Sequence, residues 1–205
     1  SFIKKPVKRE TIERILNIAQ KIPSWCNAQP WKVTICSGKT LKVLSNNLLE
    51  AAAKGVESPD IAFPIKYRGI YRERRKECGL QLYNSVGIQK GETSKATQQM
   101  HENFKFFGAP HVAVITSEKT LGTYGAIDCG AYVTAFTLAA AAMNVNTIPQ
   151  AAIASLSNIV RSTLKISTEK NIVCAISFGY ENKEHPINNF KTSRSNLNEV
   201  TKWLG

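Results

Sequence analysis

The stretch from Ala131 to Val145 constrains this chain more than any other feature. It carries no charged side chain, is rich in alanine, and is relieved only by Thr134, Thr137 and Asn144. Read from Asp128 to Met143, it is a helix that is apolar nearly all round. Such a helix must be buried against other elements, and its small side chains allow close approach. Its length, its polar interruptions and its small side-chain volume argue against a membrane span.

The rest of the chain must therefore supply packing partners. Val7 to Lys21 reads as a helix, with Ile12, Ile15, Leu16 and Ala19 on one face, and Pro23 stops it. Trp31 to Cys36 alternates as a strand. Ser37-Gly38-Lys39 reads as a turn into a return strand over Leu41 to Leu44, and Leu48 to Lys54 as a helix. Tyr67 to Val86 and Ser94 to Phe104 are further helices. After the break at Gly108-Ala109-Pro110, His111 to Thr116 is a strand rich in valine and isoleucine. Pro149 to Leu156 reads as a short helix or turn, and Ile172 to Phe178 as a strand ended by Gly179. A polar tail runs from Glu181 to Arg194, and Leu197 to Trp203 forms a last short helix. Helices mixed with three or four strands give an α+β layer protein, and its 205 residues fit a single domain.

Composition narrows the function classes. The net charge is +12, but the basic residues are scattered. The densest group, Arg68, Arg72, Arg74, Arg75 and Lys76, is interleaved with Glu73 and Glu77. Without a zinc finger, a basic zipper or an aromatic RNA-binding motif, this reads as a solvated basic face rather than a nucleic-acid surface. Its field favours anionic ligands. There is no Gly-x-Gly-x-x-Gly after a strand, no phosphate loop and no serine nucleophile elbow. His101, His111 and His185 are too dispersed to suggest a metal site. The cysteines are odd in number and form no Cys-x-x-Cys pair, which fits a reducing, cytoplasmic setting. Cys26 reads as a structural thiol.

The segment Pro23-Ser24-Trp25-Cys26-Asn27-Ala28-Gln29-Pro30-Trp31 joins a helix end to a strand. It is readable as a packed connection. It is equally readable as a fixed backbone that presents Ser24 and Asn27 to a flat polar ligand, whose faces need apolar cover and whose edges need donors and acceptors.

This segment resembles the Pro-Ser-x-x-Asn-x-Gln-Pro-Trp hallmark of the nitroreductase family. Four other stretches agree: the arginine-rich helix Arg74 to Gly87 with its Leu82-Tyr83, the break Phe107-Gly108-Ala109-Pro110, the helix start Asp128-x-Gly130, and the tail from Gly179-Tyr180 through His185-Pro186-Ile187-Asn188-x-Phe190-x-Thr192-x-Arg194. Together they span nearly the whole chain, and the branch named for nitrobenzoate reductases is the most similar in appearance.

The resemblance implies a nitroreductase-like α+β fold, a central antiparallel sheet flanked by helices in an intertwined homodimer. It implies FMN at the dimer interface, reduced by NADH or NADPH in a ping-pong scheme, with nitroaromatics or quinones as acceptors. Other flavin chemistry on the same fold, such as ene reduction, dehalogenation or flavin breakdown, stays open, as does flavin binding without turnover. Carried onto this sequence, Pro23, Ser24, Trp25 and Asn27 would meet the flavin ring across the interface, with Gln29 bracing the loop and Trp31 packing in the core. Backbone N–H groups of Pro149-Gln150-Ala151 would face flavin N5, and Trp25 and Gln150 would shape the acceptor pocket. Lys191 and Arg194 would hold the phosphate. The family's other phosphate ligands, an arginine-rich motif, would fall just before Ser1. No side chain is expected to act as a general acid. The sequence departs from the family's Gly-Leu-Gly at Asn144-Val145-Asn146, where asparagine can adopt a left-handed backbone, and from its usual glutamine at Thr134.

Overall fold

Four segments build one antiparallel sheet. In the computed structural model, which describes residues 1–205, these are β1 (Lys32–Ser37), β2 (His111–Glu118), β3 (Asn146–Gln150) and β4 (Lys170–Gly179), in the order β1-β2-β4-β3. β2 is central, and every residue from His111 to Ser117 is buried. Its Val112 and Val114 point to one face of the sheet and Ala113 and Ile115 to the other, as the two-residue period of a strand requires.

Each face is covered by helices. On one side α2 (Gly38–Ala53) brings Leu41, Leu44 and Leu48 against Val112 and Val114, and α6 (Ser157–Leu164) adds Val160. On the other side α1 (Arg9–Ala19) brings Ile12, Ile15 and Ala19 against Cys129, Tyr132, Phe136 and Ala139 of α5 (Gly122–Ala142). The remaining helices are α3 (Gly69–Ser85), α4 (Thr93–His101) and α7 (Leu197–Val200). The architecture is the expected α+β sheet flanked by helices.

Three local expectations are corrected. Leu41 to Leu44 is not a return strand but the first turns of α2. Leu41, Leu44, Leu48 and Ala51 recur at helical spacing and are all buried, and that longer period outweighs the short apolar run. Pro149 does not start a helix. It lies in β3, an edge strand, where a residue without an N–H is tolerated. α5 begins at Gly122 rather than Asp128 and is not buried all round. One stripe packs on the sheet, while Tyr124, Ile127, Ala131, Thr134 and Leu138 are exposed.

Asn144 ends α5. It is left-handed (φ 56°); its N–H donates to the Ala141 carbonyl, and the Val145 N–H donates to the Ala140 carbonyl. This pair of bonds closes a helix in the way glycine usually permits, and asparagine supplies the same backbone at a modest cost.

The N-terminal segment is tied to the sheet by His111. The Val7 N–H donates to His111 Nε2 at 3.0 Å in a buried setting, and the imidazole stacks on Phe178 at 5.2 Å. Since Nε2 accepts, the neutral ring carries its proton on Nδ1. Burial holds the His111 pKa below its ordinary value of 6.5. The unfolded chain therefore takes up this proton first as pH falls. The stabilisation is complete above about pH 6.5 and is lost on acidification through the lower folded value. Urea melts between pH 7 and 5 are expected to show this loss, and His111→Gln, which keeps an acceptor for Val7, is expected to flatten the slope.

Candidate functional site

The loop between α1 and β1 is rigid although it is exposed. Cys26, Asn27 and Gln29 all have positive φ, at 49°, 54° and 47°. Left-handed backbone costs roughly 1–3 kcal/mol at a non-glycine residue and persists only where surrounding contacts enforce it. Those contacts are present. Ser24 Oγ accepts the Gln29 N–H at 2.9 Å, and Gln29 Nε2 donates to Asn27 Oδ1 at 3.1 Å. The Asn27 and Ala28 N–H groups donate back to the Ser24 and Trp25 carbonyls. Gln29 thus braces the loop. Trp31 is buried and stacks on Tyr132 at 5.2 Å, so its place is in the core.

The loop leaves specific groups free. The Ser24 hydroxyl accepts a bond but donates none, and the Asn27 side-chain N–H groups have no acceptor within the chain. Trp25 is 64% exposed. From α5, the Asp128 carboxylate accepts the Trp25 backbone N–H at 3.1 Å, and the Tyr124 ring lies 5.5 Å from the Trp25 ring at an interplanar angle of 32°. Sequence reasoning missed Tyr124, because it placed the helix start beyond it. The four-residue spacing of Tyr124 and Asp128 is the signal that would have joined them on one helical face.

The second predicted contact, Pro149-Gln150-Ala151, lies at the far edge of the sheet. Lys32 is level with Thr116 and Thr116 with Ile172, while Gln150 is paired with Ala175. The start of β1 and the end of β3 thus emerge at the same end of the sheet, but on opposite edges. Three strand spacings separate them by about 14 Å.

Gln150 presents no side chain to a pocket, contrary to expectation. It is 3% exposed; its Nε2 donates to the Asn103 carbonyl at 2.9 Å, and the Ser177 hydroxyl donates to its Oε1. It can offer a ligand only its backbone. Pro149 and Ala151 are exposed, and the Ala151 N–H has no acceptor among the loop and turn hydrogen bonds. It is a free donor at the end of a strand.

Lys191 and Arg194 are exposed in the tail. Arg194 Nη1 donates to Thr192 Oγ1 at 2.7 Å and to the Ser193 carbonyl at 2.8 Å. The tail is held to α3 by Ser193 donating to Glu77 at 3.2 Å and by Arg74 donating to Ser195. Asn188 bonds both the amino and carbonyl groups of Ser1 at 2.9 Å, so the first residue sits beside the strand of tail that leads to Lys191.

Cutting the Gln150 network strands the Asn103 carbonyl and the Ser177 hydroxyl. Gln150→Leu is expected to lower unfolding stability by about 1–3 kcal/mol, measured by chemical denaturation, without altering the exposed groups of the loop.

The profile of the nitroreductase family matches residues 1–180 of the chain. Nitroreductase NfnB of Mycolicibacterium smegmatis is 31% identical over 200 residues, covering 96% of this chain and 84% of that protein. The 4-nitrobenzoate reductase of Pseudomonas putida is 28% identical over 205 residues, covering 100% of this chain and 90% of that protein. The crystal structure of the FMN-dependent nitroreductase NfnB from Mycobacterium smegmatis in complex with NADPH superposes with a TM-score of 0.96 at 29% identity, covering 100% of this chain and 92% of that one.

Proposed function

As the chain belongs to the nitroreductase family, we propose that it is an FMN-dependent oxidoreductase that draws hydride from NADH or NADPH and passes reducing equivalents to nitroaromatic or quinone-type acceptors in a ping-pong sequence. The observation that carries this reading is the braced loop, with unused donors at Ser24 and Asn27 beside an exposed indole. A flavin ring has carbonyls and nitrogens along its edges and broad apolar faces, and this donor set matches it. FMN, when bound, supplies the site that stores hydride between donor and acceptor.

The chain's own residues define the rest. Pro23 fixes the entry to the loop, Ser24 and Asn27 donate to the ring edge, and Trp25 covers a face. Pro149 and Gln150 bring the free Ala151 N–H to the edge where negative charge grows on reduction, and a preorganised donor is most effective there. Lys191 and Arg194 hold the phosphate. The guanidinium of Arg194 offers a fork matched to phosphate oxygens once it turns from its own loop.

The site is proposed to form between two copies. Support comes from the opposite-edge placement of the loop and Ala151, and from apolar surface that one chain leaves uncovered. The exposed stripe of α5 includes Ile127 and Leu138, α3 buries no residue, and Leu197, Val200, Trp203 and Leu204 at the C-terminal end are all exposed. Apolar patches of this kind mark interaction surfaces. All five cysteines are unpaired, which fits the cytoplasmic setting proposed from the sequence.

The full-length protein titrated with FMN is expected to acquire a flavin spectrum that bleaches with NADH or NADPH and returns on adding 4-nitrobenzoate or a quinone. A protein that stays colourless with excess FMN overturns the reading. Arg194→Ala is expected to weaken FMN binding about tenfold or more, the loss of one charged hydrogen bond of roughly 1.5–3 kcal/mol, read in the same titration.

A further inference from the structure

We propose that Tyr124 and Asp128 are positioning residues that set the orientation of Trp25 and thereby the enzyme's preference for aromatic electron acceptors. This rests on the assignment of the Ser24–Gln29 loop to the flavin site. Every hydrogen bond made by residues 24–29 stays within the loop except one, the Trp25 N–H to the Asp128 carboxylate. The exposed indole has no core packing to hold it, and its recorded ring partner is Tyr124. One residue thus holds the Trp25 backbone and the other its ring.

Both come from a single rigid base. Tyr124 and Asp128 are four residues apart on α5 and share a face. Between them, Gly125 presses the first turn of the helix onto β2: a Cβ there would lie 2.6 Å from Ser117 Oγ and 2.8 Å from Leu121 Cβ. That turn cannot shift without losing its seat on the sheet. The helix end that faces the loop is therefore fixed by the core, and the indole takes its direction from that fixed end. An aromatic acceptor stacking on the indole depends on the ring direction, because offset and tilted aromatic pairs have preferred geometries.

The test compares Asp128→Ala, Asp128→Asn, Tyr124→Leu and Tyr124→Phe as FMN-loaded full-length proteins. Flavin content is expected to stay near wild type in Asp128→Asn and Tyr124→Phe, and rates are read per bound flavin in all four. The KM for 4-nitrobenzoate is expected to rise roughly three- to tenfold in Asp128→Ala and Tyr124→Leu, the loss of one aromatic contact. It should stay near wild type in Asp128→Asn, which keeps an acceptor oxygen, and in Tyr124→Phe, which keeps the ring. The kcat/KM for ferricyanide, which does not stack, should not change.

An unchanged nitrobenzoate KM in flavin-loaded Asp128→Ala and Tyr124→Leu overturns the proposal and leaves the functional reading intact. So does a failure of Asp128→Asn to rescue. A wild-type protein that binds no FMN overturns the functional reading and this proposal together.

Discussion

The width of the sheet is the constraint on which the site depends. Four antiparallel strands in the order β1-β2-β4-β3 carry the Ser24–Gln29 loop on one edge and the free Ala151 N–H on the other. About 14 Å of strand spacing lies between them. The two sets of donors lie on opposite edges, and the proposed site draws them from two copies of the chain. In that proposal the uncovered stripe of α5 and the apolar C-terminal end lie between the copies. A core helix needs one buried stripe, and α5 has apolar residues on two.

The same helix links packing to chemistry. Its inner face, through Cys129, Tyr132, Phe136 and Ala139, forms half of the core beneath the sheet. Its first turns reach out to the loop through Tyr124 and Asp128. The loop itself stores strain in three left-handed residues and holds it with its own side chains. This arrangement spends Gln29 and the acceptor oxygens of Ser24 and Asn27 on bracing and leaves the donors of Ser24 and Asn27 unused. Gln150 makes the opposite division: its side chain is committed to Asn103 and Ser177, and only its backbone remains for function.

Much of this was legible in the sequence. Helical spacing located α1, an alanine-rich apolar run located most of α5, alternation located β1, and a valine- and isoleucine-rich run located β2. The loop was recognisable through its resemblance to the family hallmark, since its composition alone read equally well as a packed connection. Other features were hidden for physical reasons. Ser37-Gly38-Lys39 has the composition of a hairpin turn, yet Gly38, at φ 54°, instead opens α2. Pro149 reads as a helix start because a sequence does not reveal which strand lies at an edge. The commitment of Gln150 depends on Asn103, which is remote in sequence. The contact of Tyr124 with Trp25 likewise joins residues about a hundred positions apart, beyond the reach of local pattern.

The central claim is a flavin site built by two copies of the chain. Size-exclusion chromatography with in-line light scattering, monitored in the visible flavin band, tests it most directly on the FMN-loaded full-length protein. The account predicts that flavin absorbance coincides with a species of twice the chain's mass and disappears from it when mutations on the exposed α5 stripe, such as Ile127→Glu with Leu138→Glu, give a folded monomer. Flavin that remains tightly bound to a single chain would contradict it.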